Sequence, residues 1–134
     1  GNLIVQYNTN NGLVTKEIAP FPLNISRDRV TNENAKVTFL TPNHPVLNSP
    51  NKITTKDFEG WVQEQGLYYP DNFSSEFTPI FESNDFEETP KKGALLIAKY
   101  GKGNYIYTGL SFFRELPEGV IGAYRLYANL IELE

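Results

Sequence analysis

The chain has 134 residues, hydrophobic side chains at 40% of its positions and a net charge of −4, which together predict one globular domain. The negative charge argues against nucleic acid as a partner, because nucleic-acid binders carry a basic face. No run approaches the roughly 20 apolar residues that a membrane span needs. With no cysteine and one histidine, the chain lacks a thiol nucleophile, a disulfide scaffold and the ligands of a Cys- or His-rich metal site. We therefore expect no metal and no cofactor.

The first 40 residues alternate between strand-like segments and turns. Residues 2–8 contain the apolar run Leu-Ile-Val, which is typical of a strand buried on both faces. The Asn and Gly residues at 9–12 predict a turn, and residues 13–19 are moderately strand-like. Residues 24–30 alternate apolar and polar side chains, as a half-exposed strand does, and residues 36–40 predict another strand.

The middle of the chain is less regular. Residues 41–52 contain three prolines, and the apolar members of this segment favour an ordered loop over a linker. Residues 53–66 predict a short helix that Thr54 or Thr55 caps and that Gly66 ends.

The C-terminal part carries the clearest pattern. Residues 77–83 predict a strand, and residues 93–100 and 104–110 are two strand-like runs joined across Gly101-Lys102-Gly103. A phosphate-binding loop would lead into a helix and would place Ser or Thr after its lysine, so we predict a β-hairpin. Residues 117–133 predict a helix. Its apolar stripe consists of Val120, Ala123, Tyr124, Tyr127, Leu130 and Ile131.

Three aromatic residues are candidates for ligand binding. Trp61, Tyr68 and Tyr69 lie close together in a part of the sequence with little regular structure. Aromatic faces bind sugar rings, and they also fill gaps between loops and a core. The sequence leaves both interpretations open, so the group predicts either a carbohydrate-binding surface or part of the core.

His44 is a further candidate for ligand binding or chemistry. It is the single imidazole of the chain, and Asp57 or Glu59 would be its carboxylate partner in a hydrolase. A lone histidine before a proline is more commonly a structural hydrogen-bonding residue. The charged run Arg27-Asp28-Arg29 also has two interpretations, an exposed ion-pair face or an anchor for a neighbouring domain.

Several segments together carry a family resemblance. They are GNLIVQYN, ISRDRVT, HPVLNSPNKIT, DFEGWVQEQGLYYP and KGALLIAKYGKGNYIYTGLSFFREL, the last followed by a helix. In this order they resemble the C-terminal region of bacterial PIG-L (LmbE-like) deacetylase-family proteins, a region similar to the class I glutamine amidotransferase-like fold and to ThuA-like domains. The resemblance covers nearly the whole chain. It implies a partial amidotransferase-like (flavodoxin-like) α/β sheet with a C-terminal β-hairpin, a packing helix and long loops.

The resemblance carries over no catalytic residue. The deacetylase zinc motif is of the type Ala-His-Pro-Asp-Asp, whereas residues 43–47 read Asn-His-Pro-Val-Leu and lack both aspartates. Class I amidotransferases use a cysteine, which this chain does not contain. ThuA-like domains often place a histidine just after the hairpin, where this chain has Ser111-Phe112-Phe113. The resemblance therefore implies an accessory domain without chemistry of its own.

From the resemblance we expect residues 1–134 to form a single domain that is a C-terminal piece of a larger protein. The expected function is a non-catalytic accessory domain of a PIG-L-like N-acetyl-sugar deacetylase, which helps to position a glycan. The alternatives are a stand-alone carbohydrate-binding module that uses Trp61, Tyr68 and Tyr69, and a hydrolase that uses His44. Expected partners are the rest of the parent polypeptide, a glycan and, through an exposed sheet edge, a second copy of the chain. The family favours the periplasm or secretion.

Overall fold

A four-stranded mixed sheet forms the centre of the fold in the computed structural model, which describes residues 1–8 and 17–134. Two short helices and two smaller strand pairs surround it, so the described residues form a mixed α/β domain. The elements, in chain order, are β1 (Asn2–Gln6), β2 (Leu23–Val30), β3 (Thr38–Phe39), β4 (Gly66–Phe73), β5 (Thr78–Pro79), β6 (Phe81–Glu82), β7 (Leu95–Tyr100), β8 (Gly103–Thr108), α1 (Phe112–Glu115) and α2 (Ile121–Glu132). Two 3₁₀ turns lie at Pro45–Leu47 and Thr55–Phe58.

The central sheet has the strand order β1-β8-β7-β5. β1 runs parallel to β8, with Ile4 opposite Ile106, and β7 pairs with its neighbours β8 and β5 in the antiparallel sense. The strands β2 and β4 form a separate antiparallel ribbon, and β3 pairs with β6. Among the described residues β1 ends the sheet, and the expected homodimer through this edge stays a prediction.

The predicted hairpin is confirmed. Tyr100 pairs with Gly103, so Gly101 and Lys102 form a two-residue turn between β7 and β8. Gly101 has a φ of +57°, a left-handed conformation that glycine adopts without the steric cost of a Cβ. The Gly-Lys-Gly motif therefore forms the tight turn that lets β7 and β8 pair as an antiparallel hairpin.

The central sheet is covered on both faces because side chains alternate along its strands. Ile106 of β8 belongs to the core on the α2 side, and its neighbours Tyr105 and Tyr107 belong to the core on the side of the β2–β4 ribbon. Asn2 ties the edge strand to the helix, because its side-chain amide donates to three backbone carbonyls at the C-terminal end of α2. The acceptors are the carbonyl oxygens of Leu130, Ile131 and Leu133.

The C-terminal helix is present but shorter than predicted. A turn after α1, with Gly119 at a φ of +71°, delays the start of α2 to Ile121. Tyr124 and Ile131 of the predicted stripe are exposed, because the face that packs on the core is displaced around the helix from that stripe. The buried face of the helix consists of Gly122, Ala123, Leu126, Asn129 and Leu130.

The predicted helix at 53–66 is wrong beyond its first turn. Thr54 and Asp57 form a capping box, as the cap prediction requires, but the turn ends at Phe58 and Gly66 begins β4. Gly60 lies at a φ of +79°, which interrupts helical geometry. The Trp61 indole then donates to the carbonyl oxygen of Asp57, which fixes the ring in the core.

The remaining predictions have different outcomes. The half-exposed strand predicted at 24–30 is confirmed by β2, whereas only two residues of the predicted strand at 36–40 form β3. The loop at 41–52 is ordered, with buried Val46 and Leu47. The predicted strand at 77–83 is divided between β5 and β6, which belong to different sheets. The predicted turn at 9–12 and most of the strand-like segment at 13–19 lie outside the described residues. No helix in the described residues is long and apolar enough to cross a membrane.

Candidate functional site

The candidate site lies where the parallel strands β1 and β8 end. In open α/β sheets, ligands bind outside the carboxyl ends of such strands. The chain that enters β4 crosses this end of the sheet, because the Leu67 N–H donates to the Gly109 carbonyl and the Ser111 N–H donates to the Gln65 carbonyl. These bonds place residues 63–68 beside the last residues of β1.

A glycine makes this crossing possible. A Cβ on Gly66 would lie 2.2 Å from the Gly109 carbonyl oxygen and 2.7 Å from the Tyr69 hydroxyl. These distances are far shorter than any real carbon contact, so only glycine allows the backbone of β4 to approach the end of β8. The close approach positions Tyr68 over the end of the sheet and turns the Tyr69 ring inward.

Five side chains form a continuous row at this end of the sheet, which we call the strip. It consists of Arg27, Tyr68, Tyr7, Phe113 and Arg114. The Tyr7 ring meets Tyr68 with centroids 5.3 Å apart and Phe113 at 4.5 Å, both edge to face. The Arg27 guanidinium carbon lies 5.9 Å from the Tyr68 centroid and that of Arg114 lies 4.8 Å from the Phe113 centroid. The rings are partly open to solvent, so the strip offers aromatic faces between two cations.

Three residues at the strip have left-handed backbones. Tyr7, Gln63 and Tyr68 have φ values of +49°, +68° and +64°. A non-glycine residue at positive φ is uncommon and costs about 1–2 kcal/mol. Such conformations occur most often at functional sites, where surrounding contacts hold them. Three of them around one surface row indicate that the fold maintains this arrangement at the expense of stability.

Glu64 connects the middle of the strip, Tyr7, to one of its ends, Arg114. Its Oε1 accepts from the Tyr7 hydroxyl at 2.7 Å and from Arg114 Nε at 3.0 Å. Arg114 Nη1 also donates to Gln63 Oε1 at 3.0 Å. Burial, reinforced by the Glu64 carboxylate, raises the pKa of Tyr7 to about 12, so its hydroxyl stays a proton donor at neutral pH. The network holds Tyr7, Glu64 and Arg114 in one arrangement.

Tyr107 supports the strip from below. Its ring is fully buried, and its hydroxyl lies 2.7 Å from the Tyr68 carbonyl oxygen and 3.1 Å from that of Asn8. One buried hydroxyl therefore contacts the backbone on both sides of the Tyr7–Tyr68 pair. This contact helps to hold Tyr68 in its left-handed conformation.

A buried polar pair lies beneath the strip. Ser111 and Glu115 are fully buried, with Ser111 Oγ 2.9 Å from Glu115 Oε2 and the Val62 N–H donating to Glu115 Oε1. Burial raises the pKa of Glu115, an effect that the nearby Glu64 strengthens. Since neither side chain reaches solvent, this pair anchors the backbone under the site and does not contact a ligand on the surface.

The three aromatic candidates from the sequence do not form one surface. Tyr68 belongs to the strip. Trp61 is 3% exposed and stacks on Phe58 with centroids 5.2 Å apart, and Tyr69 is 1% exposed. The rings of Trp61 and Tyr69 are therefore part of the core, which was the other interpretation that the sequence left open.

His44 has a structural contact. Its Nδ1 accepts from the Val46 N–H at 3.1 Å, which caps the 3₁₀ turn at Pro45–Leu47. Burial lowers the pKa of His44, and the positive charge of Lys99 contributes. Asp57 accepts from Arg125 Nε and from the Thr54 N–H. In the described residues no hydrogen bond or ion pair joins His44 to Asp57 or to Glu59.

Sequence reasoning missed most of the strip. Tyr7, Glu64 and Arg114 carried no motif, and Arg27 was considered only as part of a charged run. The one available signal was the position after the hairpin, where ThuA-like domains often have a histidine, because that position leads into Phe113 and Arg114. Among the described residues, no group of three or more His, Cys, Asp or Glu side chains could hold a metal ion.

Comparisons with known proteins found no match to this chain among protein-family profiles, curated proteins and solved structures. The assignment of function therefore depends on the geometry of the strip.

Proposed function

We propose that this domain binds a glycan through the strip and acts as a non-catalytic accessory domain of a PIG-L-like hydrolase, where it positions the sugar substrate. The observation that carries the proposal is the row of three partly exposed rings, Tyr68, Tyr7 and Phe113, beyond the carboxyl ends of β1 and β8. Glycan positioning by such a domain is the function that the sequence resemblance implies.

The chemistry of the strip suits a sugar. A pyranose ring presents C–H groups that pack on aromatic faces, and its hydroxyls form hydrogen bonds at the edges. Gln63, Glu64 and Arg114 supply donors and acceptors beside the rings. Because these polar groups are already bonded to one another, little ordering entropy remains to be lost when a ligand arrives.

The surroundings of the strip favour binding over covalent catalysis. Ser111, which lies three residues beyond the end of β8, is fully buried and bonded to Glu115. The Glu64 carboxylate already accepts from Tyr7 and Arg114. A nucleophile must reach the substrate and have a base within hydrogen-bond distance, and Ser111 does not meet the first condition.

We also propose that the central sheet has the amidotransferase-like fold. The parallel pairing of β1 with β8 and the position of α2 on one face of the sheet support this assignment. In that fold the carboxyl ends of the parallel strands form the ligand-binding edge. The strip therefore occupies the position at which a relative with catalytic residues would hold its substrate.

The proposal is tested by NMR titration of the full chain with N-acetylglucosamine oligomers and with a panel of neutral and acidic sugars. We expect shift changes concentrated at Tyr7, Tyr68 and Phe113. Truncation by Tyr68→Ala or Phe113→Ala should weaken binding about tenfold, or about 1.4 kcal/mol. Phe86→Ala is the matched control, because Phe86 is 88% exposed and lies outside the strip.

Two outcomes would contradict the proposal. One is the absence of shift changes at the strip for every sugar at millimolar concentration. The other is binding that Phe86→Ala weakens as much as Tyr68→Ala does, because that result would place the ligand elsewhere.

A further inference from the structure

An irregularity in the β2–β4 ribbon determines where Arg27 lies. Ile25 pairs with Pro70 and Asp28 pairs with Tyr69, so Ser26 and Arg27 are two extra residues opposite a single step of β4. Such a bulge changes the direction of the side chains it contains, and bulges are enriched at sheet edges and next to active sites. Ser26 stabilises it, since its hydroxyl donates to the Tyr69 carbonyl and accepts from the Asp28 N–H.

The partner strand is irregular at the same place. Tyr68 has a φ of +64°, and the buried Tyr107 hydroxyl lies 2.7 Å from its carbonyl oxygen. The bulge on one strand and the left-handed residue on the other bring the Arg27 guanidinium to 5.9 Å from the Tyr68 ring. A β-bulge and a left-handed residue thus meet at the contact between Arg27 and Tyr68.

Arg27 has a charge that no carboxylate of residues 1–8 and 17–134 neutralises in an ion pair. None of the ion pairs formed by the described residues includes it, and its neighbour Asp28 lines a separate hollow with Asp71 and Lys92. At the other end of the strip, Arg114 is paired with Glu64 at 3.0 Å. Arg27 is therefore the cation of the strip that remains available to a ligand.

We propose that Arg27 is a specificity-determining residue that selects an acidic sugar by binding its carboxylate while the pyranose ring packs on Tyr68. This inference rests on the proposed glycan-binding function and narrows it to uronic-acid-containing glycans. The planar guanidinium presents paired N–H donors that match the two oxygens of a carboxylate. A cation beside an aromatic face binds a ring with an anionic substituent at its edge better than it binds a neutral ring.

Single-stranded nucleic acid also stacks on aromatic side chains between arginines. The net charge of −4 makes a polyanion an unfavourable partner, because repulsion grows with the number of phosphates. A single carboxylate requires only the local cation that Arg27 supplies. The observations therefore favour an acidic sugar.

Calorimetric titration with two matched disaccharides tests the inference. One joins N-acetylglucosamine to glucuronic acid and the other joins N-acetylglucosamine to glucose, so they differ by one carboxylate. We expect the acidic disaccharide to bind at least about tenfold more tightly, which is the usual worth of a charged hydrogen bond. Raising the ionic strength should reduce this preference and leave binding of the neutral disaccharide unchanged.

The variants separate charge from geometry. Arg27→Gln should abolish the preference for the acidic disaccharide, and Arg27→Lys should keep only part of it because lysine lacks the paired donors. Arg29→Gln is the matched control, since it removes the same charge from an exposed position two residues along the same strand and should keep the preference.

Three results would overturn the inference. Equal affinity for both disaccharides would remove the acidic preference and would leave the proposed glycan binding intact. An equal loss of both affinities in Arg27→Gln would show that Arg27 only supports the Tyr68 ring. Tighter binding of a single-stranded oligonucleotide at the same residues would show that the strip recognises nucleic acid. Binding of neither disaccharide would also overturn the inference, and the proposed function fails with it only if no other sugar of the panel binds to the strip.

Discussion

The Tyr7 hydroxyl donates a 2.7 Å hydrogen bond to Glu64 Oε1, the same oxygen that accepts from Arg114 Nε. Tyr7 follows β1, Glu64 precedes β4 and Arg114 lies in α1, so one carboxylate oxygen joins three separate parts of the chain. The bond therefore contributes to both the stability of the domain and the geometry of the strip.

Tyr7→Phe should lower the free energy of unfolding by about 1.5 kcal/mol, because it removes a hydrogen bond to a carboxylate and keeps the ring. Urea denaturation measures the change. Tyr124→Phe is the control, since that hydroxyl donates to the Leu116 carbonyl at an exposed site and should cost less. Equal losses in the two variants would show that the Glu64 contact adds nothing beyond an ordinary surface hydrogen bond.

Two buried tyrosines should respond to hydroxyl removal in opposite directions. The Tyr69 hydroxyl is buried and has no hydrogen-bond partner among the described residues, whereas that of Tyr107 lies 2.7 Å from the Tyr68 carbonyl oxygen. An unsatisfied buried hydroxyl costs roughly 1–3 kcal/mol. Tyr69→Phe should therefore raise the free energy of unfolding by about 1 kcal/mol.

Tyr107→Phe should lower the same free energy by about 1 kcal/mol and should also weaken glycan binding, because it releases Tyr68. Paired urea denaturation curves compare the two variants at constant ring volume. A loss of stability in Tyr69→Phe would mean that its hydroxyl has a partner, such as a bound water.

The sequence predicted the elements that local chemistry determines. The β7–β8 hairpin follows from two β-favouring runs joined by glycines, and the apolar run predicts the strand β1. The expected burial of β1 on both faces is wrong, because β1 lies at the edge of the sheet and Leu3 is 59% exposed. The limits of α2 could not be predicted this way, because Pro117, which suits the first turn of a helix, lies instead in the turn between α1 and α2. Packing of α1 and the turn at Gly119 decide the matter.

The strip was beyond local prediction for a different reason. Arg27 and Tyr68 meet only because the β2–β4 register shifts twice between Ile25 and Arg29, and Tyr7 meets Phe113 only because β1 pairs with β8. No spacing in the sequence encodes these contacts, since each depends on strand pairing between distant segments. Aromatic composition alone pointed equally to Trp61 and Tyr69, which the fold places in the core.

The left-handed backbone of Gln63 predicts that one substitution raises the stability of the domain and lowers its glycan affinity. Its φ of +68° places a Cβ in a conformation that costs about 1–2 kcal/mol, and Gln63→Gly relieves it. We expect Gln63→Gly to raise the free energy of unfolding by about 0.5 kcal/mol, after the greater entropy of the unfolded glycine is subtracted. Glycan affinity should fall, because the loop is less ordered and Arg114 loses its contact with Gln63.

Gln63→Ala is the matched control. It loses the same contact with Arg114 but keeps the strained backbone, so it should not gain stability. Thermal denaturation of the two variants, with calorimetric titration of the preferred disaccharide, measures both properties. If glycine destabilises the domain more than alanine does, the left-handed backbone at this position is not a source of strain.

Glu115 should make the domain less stable as the pH rises. Burial raises the folded pKa of Glu115 above its unfolded value of about 4.3, so the folded state binds more protons between the two values. Stability then decreases from the unfolded pKa to the folded one and levels off above it.

Glu115→Gln should remove this decrease, because an amide can still accept from the Val62 N–H. His44, whose pKa is lowered, contributes a trend of the opposite sign in both proteins, so the difference between their urea denaturation free energies isolates Glu115. A difference that does not change between about pH 4 and pH 7 would show that the buried carboxyl has an ordinary pKa.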